Sequence, residues 1–126
     1  MERLPYIDEH STIVPADRAG TWSALLRTTC ENPNDLSTLP RGFTLDAADP
    51  PNRLAAVGHH PFSRYALTFT LTEETPTRTR LTAETRAVFP GLHGRLYRAL
   101  VIGSGGHRLV VRAMLRRVAA AVRTPV

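Results

Sequence analysis

The sequence predicts an α+β fold in which a curved antiparallel β-sheet wraps around a long C-terminal helix. Residues 64–73 and 79–89 each alternate apolar and polar side chains, as half-buried antiparallel strands do. Residues 92–122 instead repeat apolar side chains at spacings of three and four, which is the pattern of an amphipathic helix. No linker or internal repeat divides the 126 residues, so we expect a single domain over residues 1–126.

The first part of the chain supplies a strand, a helix and a loop. Residues 6–14 mix β-branched and polar side chains and end before a proline, which predicts a strand. Asp17 can cap a helix that extends to about Thr29. The apolar positions of that helix are Trp22, Leu25 and Leu26. Turn-forming residues dominate 30–41, where we expect a loop with one helical turn near residues 34–36.

Four strand candidates follow this loop. Residues 42–46 and 53–59 are short and are separated by the turn-rich residues 47–52. The two longer strands should form a hairpin that shares one apolar face. That face consists of Tyr65, Leu67, Phe69 and Leu71 on the first strand and of Leu81, Ala83, Thr85, Ala87 and Phe89 on the second.

The C-terminal amphipathic segment is too long for one straight helix. A helix over residues 92–122 would extend roughly 46 Å, whereas a compact chain of this length has a radius of gyration of about 14 Å. Glycines at 103, 105 and 106 would each cost a helix interior about 1 kcal/mol relative to alanine. We therefore expect a short helix, a bend near the glycines and a terminal helix from about His107. The predicted inward stripe is Leu96, Leu100, Gly103, His107, Val110, Met114, Val118 and Ala121.

Composition argues against several classes of protein. The single cysteine, Cys30, cannot form an internal disulfide, and no run of residues has the length and apolarity of a membrane span. The N-terminal residues lack the apolar stretch of a signal peptide, so we expect a soluble cytoplasmic protein. All 16 basic residues are arginine, a bias that a GC-rich bacterial genome can produce, and the absence of lysine excludes Schiff-base chemistry.

Neither a metal site nor a nucleic-acid site is predicted. His59 and His60 are adjacent and would point to opposite faces of a strand, and no histidine fits a known ligand spacing. We expect no metal and no cofactor. The terminal helix carries a ridge of arginines that we interpret as a solvated face: Arg108, Arg112, Arg116 and Arg117. Aromatic side chains are not interleaved with this ridge, so we expect no nucleic-acid partner.

No nucleophile is indicated either. Ser104 lies in the sequence GSGG, but a nucleophile elbow needs a preceding strand and here the preceding pattern is helical. Cys30 lacks an identifiable base partner.

The order of these elements resembles the START-like, or SRPBCC, superfamily. Residues 6–26 (YIDEHSTIVPADRAGTWSALL) are similar to its opening strand and first helix, and residues 62–122 are similar to its last hairpin and closing helix. The resemblance implies a helix-grip fold with an apolar space between the sheet and the C-terminal helix.

In that superfamily the space commonly accepts lipids, polyketides or other hydrophobic small molecules. The resemblance therefore implies a protein that binds or carries such a molecule without catalysis. The side chains expected to face the ligand are Tyr65, Leu67, Phe69, Phe89, Tyr97 and His107. The apolar side chains would bury the ligand, and the tyrosines and the histidine would orient it.

Two alternatives stay open. Some members of the superfamily are aromatase/cyclases, so His107 or a tyrosine could instead transfer protons to a polyketide-like substrate. The chain could also form a homodimer whose cavity is filled by its own side chains, which the short segment between Cys30 and Arg53 favours. A buried His107 would need a hydrogen-bond partner, for which a backbone carbonyl, Glu84, a tyrosine and a ligand are candidates.

Overall fold

The computed structural model describes residues 6–32, 34–39, 43–60, 63–88 and 106–123. Within these residues, five strands and two α-helices follow one another in the order β1 (Tyr6–Val14), α1 (Arg18–Thr29), β2 (Phe43–Asp49), β3 (Arg53–His60), β4 (Ser63–Thr75), β5 (Arg78–Val88) and α2 (Gly106–Arg123). A short 3₁₀ helix, Leu36–Thr38, lies between α1 and β2.

The five strands form one antiparallel sheet in the order β1-β5-β4-β3-β2. Strands β2 to β5 pair with their neighbours in sequence, whereas β1 pairs with β5, the last of the five. The predicted α+β class is confirmed, and a five-stranded antiparallel sheet followed by a C-terminal helix is consistent with a helix-grip fold.

One face of the sheet, hereafter the inner face, is covered by the helices. On β4, Leu67, Phe69 and Leu71 are buried, whereas Thr70 and Thr72 on the opposite face are exposed. On β5 the four described members of the predicted apolar set are buried as well: Leu81, Ala83, Thr85 and Ala87. The period-two prediction for the hairpin is therefore confirmed.

Helix α1 begins and ends as its sequence predicts. The Asp17 carboxylate accepts a hydrogen bond from the Gly20 backbone N–H at 2.7 Å, which satisfies one of the unpaired N–H groups of the first turn. Trp22 and Leu25 are buried and pack with the inner face of the sheet and with α2, whereas Leu26 is half-buried.

Helix α2 begins at Gly106, one residue before the predicted start. Of its predicted inward stripe, Val118 is buried and Met114 and Ala121 are partly buried against the core, but Val110 is not. Val110 is 63% exposed, whereas Val111 is buried. Since positions 110 and 111 are both valine, periodicity alone could not decide between them. The helix packs on α1 and on the edge strand β1, and this packing selects the second valine. The buried positions, spaced four, three and one apart, are Val111, Leu115, Val118 and Ala119. The predicted helix before Gly103, and the bend at residues 103–105, lie outside the described residues.

Two boundaries differ from the prediction in the middle of the chain. Strand β2 extends to Asp49 because residues 47–49 pair with β3 beyond an irregularity after Leu45. The turn is therefore confined to residues 50–52. The helical turn predicted at residues 34–36 lies two positions later.

Candidate functional site

Cross-strand pairing arranges the inner face in rows that cross the sheet from β1 to β2, because directly paired residues project to the same side. One row consists of Asp8, Thr85, Leu67, Ala56 and Leu45, and the next of His10, Ala83, Phe69, Leu54 and Ala48. The β1 end of each row carries an ionisable side chain, and the β4 position carries a large apolar one. The inner face is therefore polar at the β1 edge and apolar farther into the sheet.

Asp8 and His10 form a hydrogen-bonded pair at this polar edge. His10 Nε2 lies 3.2 Å from Asp8 Oδ2. The His10 side chain is 14% exposed and the Asp8 side chain is 22% exposed. Because an ionised carboxylate only accepts hydrogen bonds, the imidazole donates from Nε2, and in a neutral ring Nδ1 is then the acceptor. Thr85, paired with Asp8 across the ladder, is only 6% exposed. The edge thus combines a carboxylate, an oriented imidazole and a hydroxyl.

Sequence reasoning missed this pair, although the sequence contained a signal for it. Asp8 and His10 are two positions apart in a segment predicted to be a strand, so their side chains must share a face. The hydrophobic pattern gave no indication of which face that would be.

The part of the inner face formed by β2, β3 and β4, away from the β1 edge, carries an aromatic pair. The rings of Phe43 on β2 and Tyr65 on β4 meet edge to face, with centroids 5.1 Å apart and an interplanar angle of 63°. Gly58 of β3 pairs with both residues, and because it has no side chain the two rings can meet above it. Both rings are half-buried.

The structure brings together three of the six residues predicted to face a ligand. Tyr65, Leu67 and Phe69 alternate along the inner face of β4; Leu67 and Phe69 belong to the buried core and Tyr65 is half-buried. Phe89 and Tyr97 lie outside the described residues, as does the side chain of His107, whose backbone is in the first turn of α2.

One suggested partner for His107 is engaged elsewhere. Glu84 projects from the opposite face of β5, where its carboxylate accepts a hydrogen bond from Arg86 Nε at 2.8 Å.

A cleft of about 360 Å³ opens between the edge strand β1 and helix α2. Its lining consists of His10, Ser11, Thr12, Arg112, Leu115 and Arg116. Leu115 is 2% exposed and belongs to the core, whereas both arginines are exposed. Because His10 also begins an inner-face row, the cleft lies beside the polar end of that face.

Among the described residues, no three His, Cys, Asp or Glu side chains come together in a group that could hold a metal ion. Neither described helix combines the length and the apolar character needed to cross a membrane.

No protein-family model matches the chain, and no curated protein matches it either. Solved structures do resemble it. DynU16, a protein in the dynemicin biosynthetic locus, superposes with a TM-score of 0.65 at 18% identity, over 95% of this chain and 48% of DynU16. BexL, a di-domain ARO/CYC from the BE-7585A biosynthetic pathway, gives a TM-score of 0.61 at 11% identity, over 92% of this chain and 46% of BexL.

A third similar structure matches over nearly its whole length. CalC, a self-sacrificing resistance protein from Micromonospora echinospora, gives a TM-score of 0.56 at 15% identity. The match covers 94% of this chain and 94% of CalC. The chain spans about half the length of DynU16 and BexL. At these identities the likeness shows a shared fold.

Proposed function

We propose that this chain is an SRPBCC-type protein that binds or carries a hydrophobic small molecule, lipid or polyketide-like, between the inner face of its sheet and the C-terminal helix. The observation that carries the proposal is the change in chemistry along the inner-face rows, from Asp8 and His10 at one edge to the large apolar side chains of β4. A ligand with an apolar body and one polar end fits such a surface.

The dimensions and energies of the rows support this assignment. Neighbouring strands lie about 4.8 Å apart, so Asp8 on β1 and Leu67 on β4 are separated by roughly 10 Å across β5. Burying about 200 Å² of apolar ligand surface contributes about 5 kcal/mol, whereas one hydrogen bond at the polar edge contributes about 1 kcal/mol. Apolar contact would therefore provide most of the affinity, and the polar edge would fix the orientation of the ligand.

The proposed ligand-facing set keeps every residue predicted from the sequence and adds three. The predicted residues are Tyr65, Leu67, Phe69, Phe89, Tyr97 and His107, and the added ones are Asp8, His10 and Phe43. Leu67 and Phe69 form the floor of the site because they are buried in the core. Tyr65 and Phe43 form its aromatic wall, where a half-buried ring still has surface to offer.

The structural neighbours support the ligand class. DynU16 and BexL both come from biosynthetic loci or pathways, and BexL is an ARO/CYC. A lipophilic biosynthetic intermediate is the kind of molecule that a polar-to-apolar inner face would accept.

The Asp8–His10 pair favours one second candidate, a cyclase/dehydrase-like enzyme acting on the same ligand. A histidine whose orientation is fixed by a carboxylate is an arrangement that serves general acid–base catalysis. In this alternative His10 would exchange a proton with the bound molecule, and His107 would be a second candidate for that role.

Native mass spectrometry of protein purified without detergent tests the binding proposal. We expect a non-covalent adduct with the mass of a hydrophobic small molecule on a monomer. Tyr65→Ala should reduce occupancy, whereas Thr70→Ala, on the opposite face of the same strand, should leave it unchanged. A homodimer without any adduct, which also fails to bind the neutral dye Nile red, would contradict the proposal.

A paired measurement separates the carrier from the enzyme. Affinity and product formation with the co-purifying molecule are measured for wild type, His10→Gln and His107→Gln. Glutamine keeps a hydrogen-bonding group but cannot transfer protons at neutral pH, so a carrier should retain its affinity within about tenfold, or about 1.4 kcal/mol. Turnover by the wild type that falls by ~10²-fold or more in either variant would establish the enzyme.

A further inference from the structure

Two arginines of α2 face the cleft beside β1. Arg112 and Arg116 are four residues apart, so their side chains lie on the same side of the helix, and both line the cleft together with the hydroxyl-bearing Ser11 and Thr12. Leu115 closes the cleft toward the core, and His10 forms its wall on the sheet side. The cleft volume of about 360 Å³ is within the range of small-molecule sites.

The charge of these two arginines is not neutralised in the described part of the protein. Arg80 and Arg86 each have a glutamate within salt-bridge distance, at 2.6 and 2.8 Å. Among the described residues, neither Arg112 nor Arg116 forms such a pair. Asp8, whose carboxylate lies on the same face of β1 as His10, is hydrogen-bonded through Oδ2 to His10 Nε2.

We propose that this cleft binds an oxyanion, the carboxylate or phosphate end of the ligand, through the guanidinium groups of Arg112 and Arg116. The inference rests on the proposed function, which it narrows to anionic amphiphiles. A guanidinium presents paired N–H donors whose spacing matches carboxylate and phosphate oxygens. The Thr12 hydroxyl, on the inner face of β1, can donate a further hydrogen bond to the anion, whereas the Ser11 hydroxyl lies on the opposite face, where it accepts a hydrogen bond from Arg80.

The position of His10 links the two parts of the site. Its ring borders the cleft and is also the first side chain of the row that continues through Ala83 to Phe69. A ligand whose anionic end lies between β1 and α2 would therefore place the start of its apolar body against Leu115 and His10, beside the buried row of the inner face. The opposite orientation would place a charge among the buried side chains of β4, which is strongly unfavourable.

Calorimetric titration with three ligands of equal chain length tests this inference. Decanoate, decyl phosphate and 1-decanol share a ten-carbon body and differ in the head group. The two anions are used below their micellar concentrations and the alcohol below its solubility limit. We expect at least one of the anions to bind about tenfold more tightly than the alcohol, which corresponds to about 1.4 kcal/mol. The preference should decrease in about 1 M salt, because exposed charges are screened there within about 3 Å.

Two double variants of α2 provide the matched comparison. Arg112→Gln/Arg116→Gln should abolish the preference for the anion while the affinity for 1-decanol stays the same. Arg108→Gln/Arg117→Gln removes the same number of exposed charges from the same helix, but from residues that do not line the cleft, and should retain the preference. Thr12→Val, which removes only a hydroxyl, should weaken anion binding without changing the net charge.

The outcomes separate this inference from the one on which it rests. If 1-decanol binds but no anion is preferred, or if both double variants lose the preference equally, the oxyanion site is wrong and the proposed function stands. If none of the three molecules binds, the proposed function is overturned and the oxyanion site with it.

Discussion

Strands β1 and β4 both alternate inner-face and outer-face side chains, but the inner side chains of β1 are mostly polar and those of β4 are mostly apolar. Along β4 the inner positions are Tyr65, Leu67, Phe69 and Leu71, and along β1 they are Asp8, His10, Thr12 and Val14. Leu67, Phe69 and Leu71 belong to the core and Tyr65 is half-buried, while the first three side chains on β1 are only partly buried. The comparison shows that the centre of the sheet contributes its side chains to the core, whereas the edge strand carries the polar side chains to which the proposed function assigns the orientation of the ligand.

Polar side chains are better tolerated on the edge strand than on a central strand because they find hydrogen-bond partners there. A buried polar group without a partner costs roughly 1–3 kcal/mol, and a central strand offers few partners besides its own ladder. The edge strand β1 borders the cleft, so its side chains can meet Arg112, Arg116, solvent or a ligand there. Polar chemistry is therefore tolerated on β1 at positions where β4 requires large apolar groups.

The largest expected effect is on the β4 side. Phe69→Ala should lower the free energy of unfolding by about 3 to 5 kcal/mol, because the ring is buried and its removal leaves a cavity. Thr70→Ala, on the exposed face of the same strand, should change it by less than about 0.5 kcal/mol. Urea unfolding of both variants is the measurement, and equal effects would show that the inner face has been assigned to the wrong side.

The same comparison explains how much of the fold the sequence could reveal. On β4 and β5 every second residue except Thr85 is apolar or aromatic, so alternation alone predicted the buried face. On β1 the inner residues Asp8, His10 and Thr12 are polar, so the hydrophobic pattern carried no signal and the pair was missed. The pairing of β1 with β5 is a contact between distant segments that local patterns do not encode.

A different ambiguity affected α2. Two adjacent valines, Val110 and Val111, fit equally well into a helical stripe, and only packing against β1 and α1 distinguishes them. Sequence reasoning correctly placed Tyr65, Leu67 and Phe69 on the inner face of β4, but it did not predict the cleft. A cleft between a strand and a helix a hundred residues apart depends on tertiary packing.

A second prediction concerns Leu115, the side chain at which the two regions meet, since it lines the cleft and belongs to the core. Leu115→Ala should lower the free energy of unfolding by about 2 to 5 kcal/mol. Val110→Ala, on the exposed side of the same helix, should change it by less than about 0.5 kcal/mol. Thermal and urea unfolding provide the test, and a larger loss in the Val110 variant would restore the stripe predicted from the sequence.

A third prediction concerns the polar pair. A double-mutant cycle on Asp8→Ala and His10→Ala should give a coupling energy of about 0.5 to 1.5 kcal/mol in unfolding, because both side chains are mostly buried and joined by one hydrogen bond. Urea unfolding of the wild type, the two single variants and the double variant provides the four free energies. A coupling energy near zero would mean that the two side chains do not interact in solution, and it would remove the support for an oriented His10.

The smallest effect on stability is expected at the cleft arginines. Arg112→Ala combined with Arg116→Ala should change the free energy of unfolding by less than about 1 kcal/mol, because both side chains are exposed and form no salt bridge within the described residues. Any weak DNA affinity of the wild type should disappear at about 150 mM salt, since binding through phosphates alone is strongly salt-dependent. Unfolding curves and a DNA-binding titration measure the two quantities. Sequence-selective DNA binding at that salt concentration, if it is lost in the double variant, would show that these arginines recognise a nucleic acid. That outcome would contradict the prediction that the protein has no nucleic-acid partner.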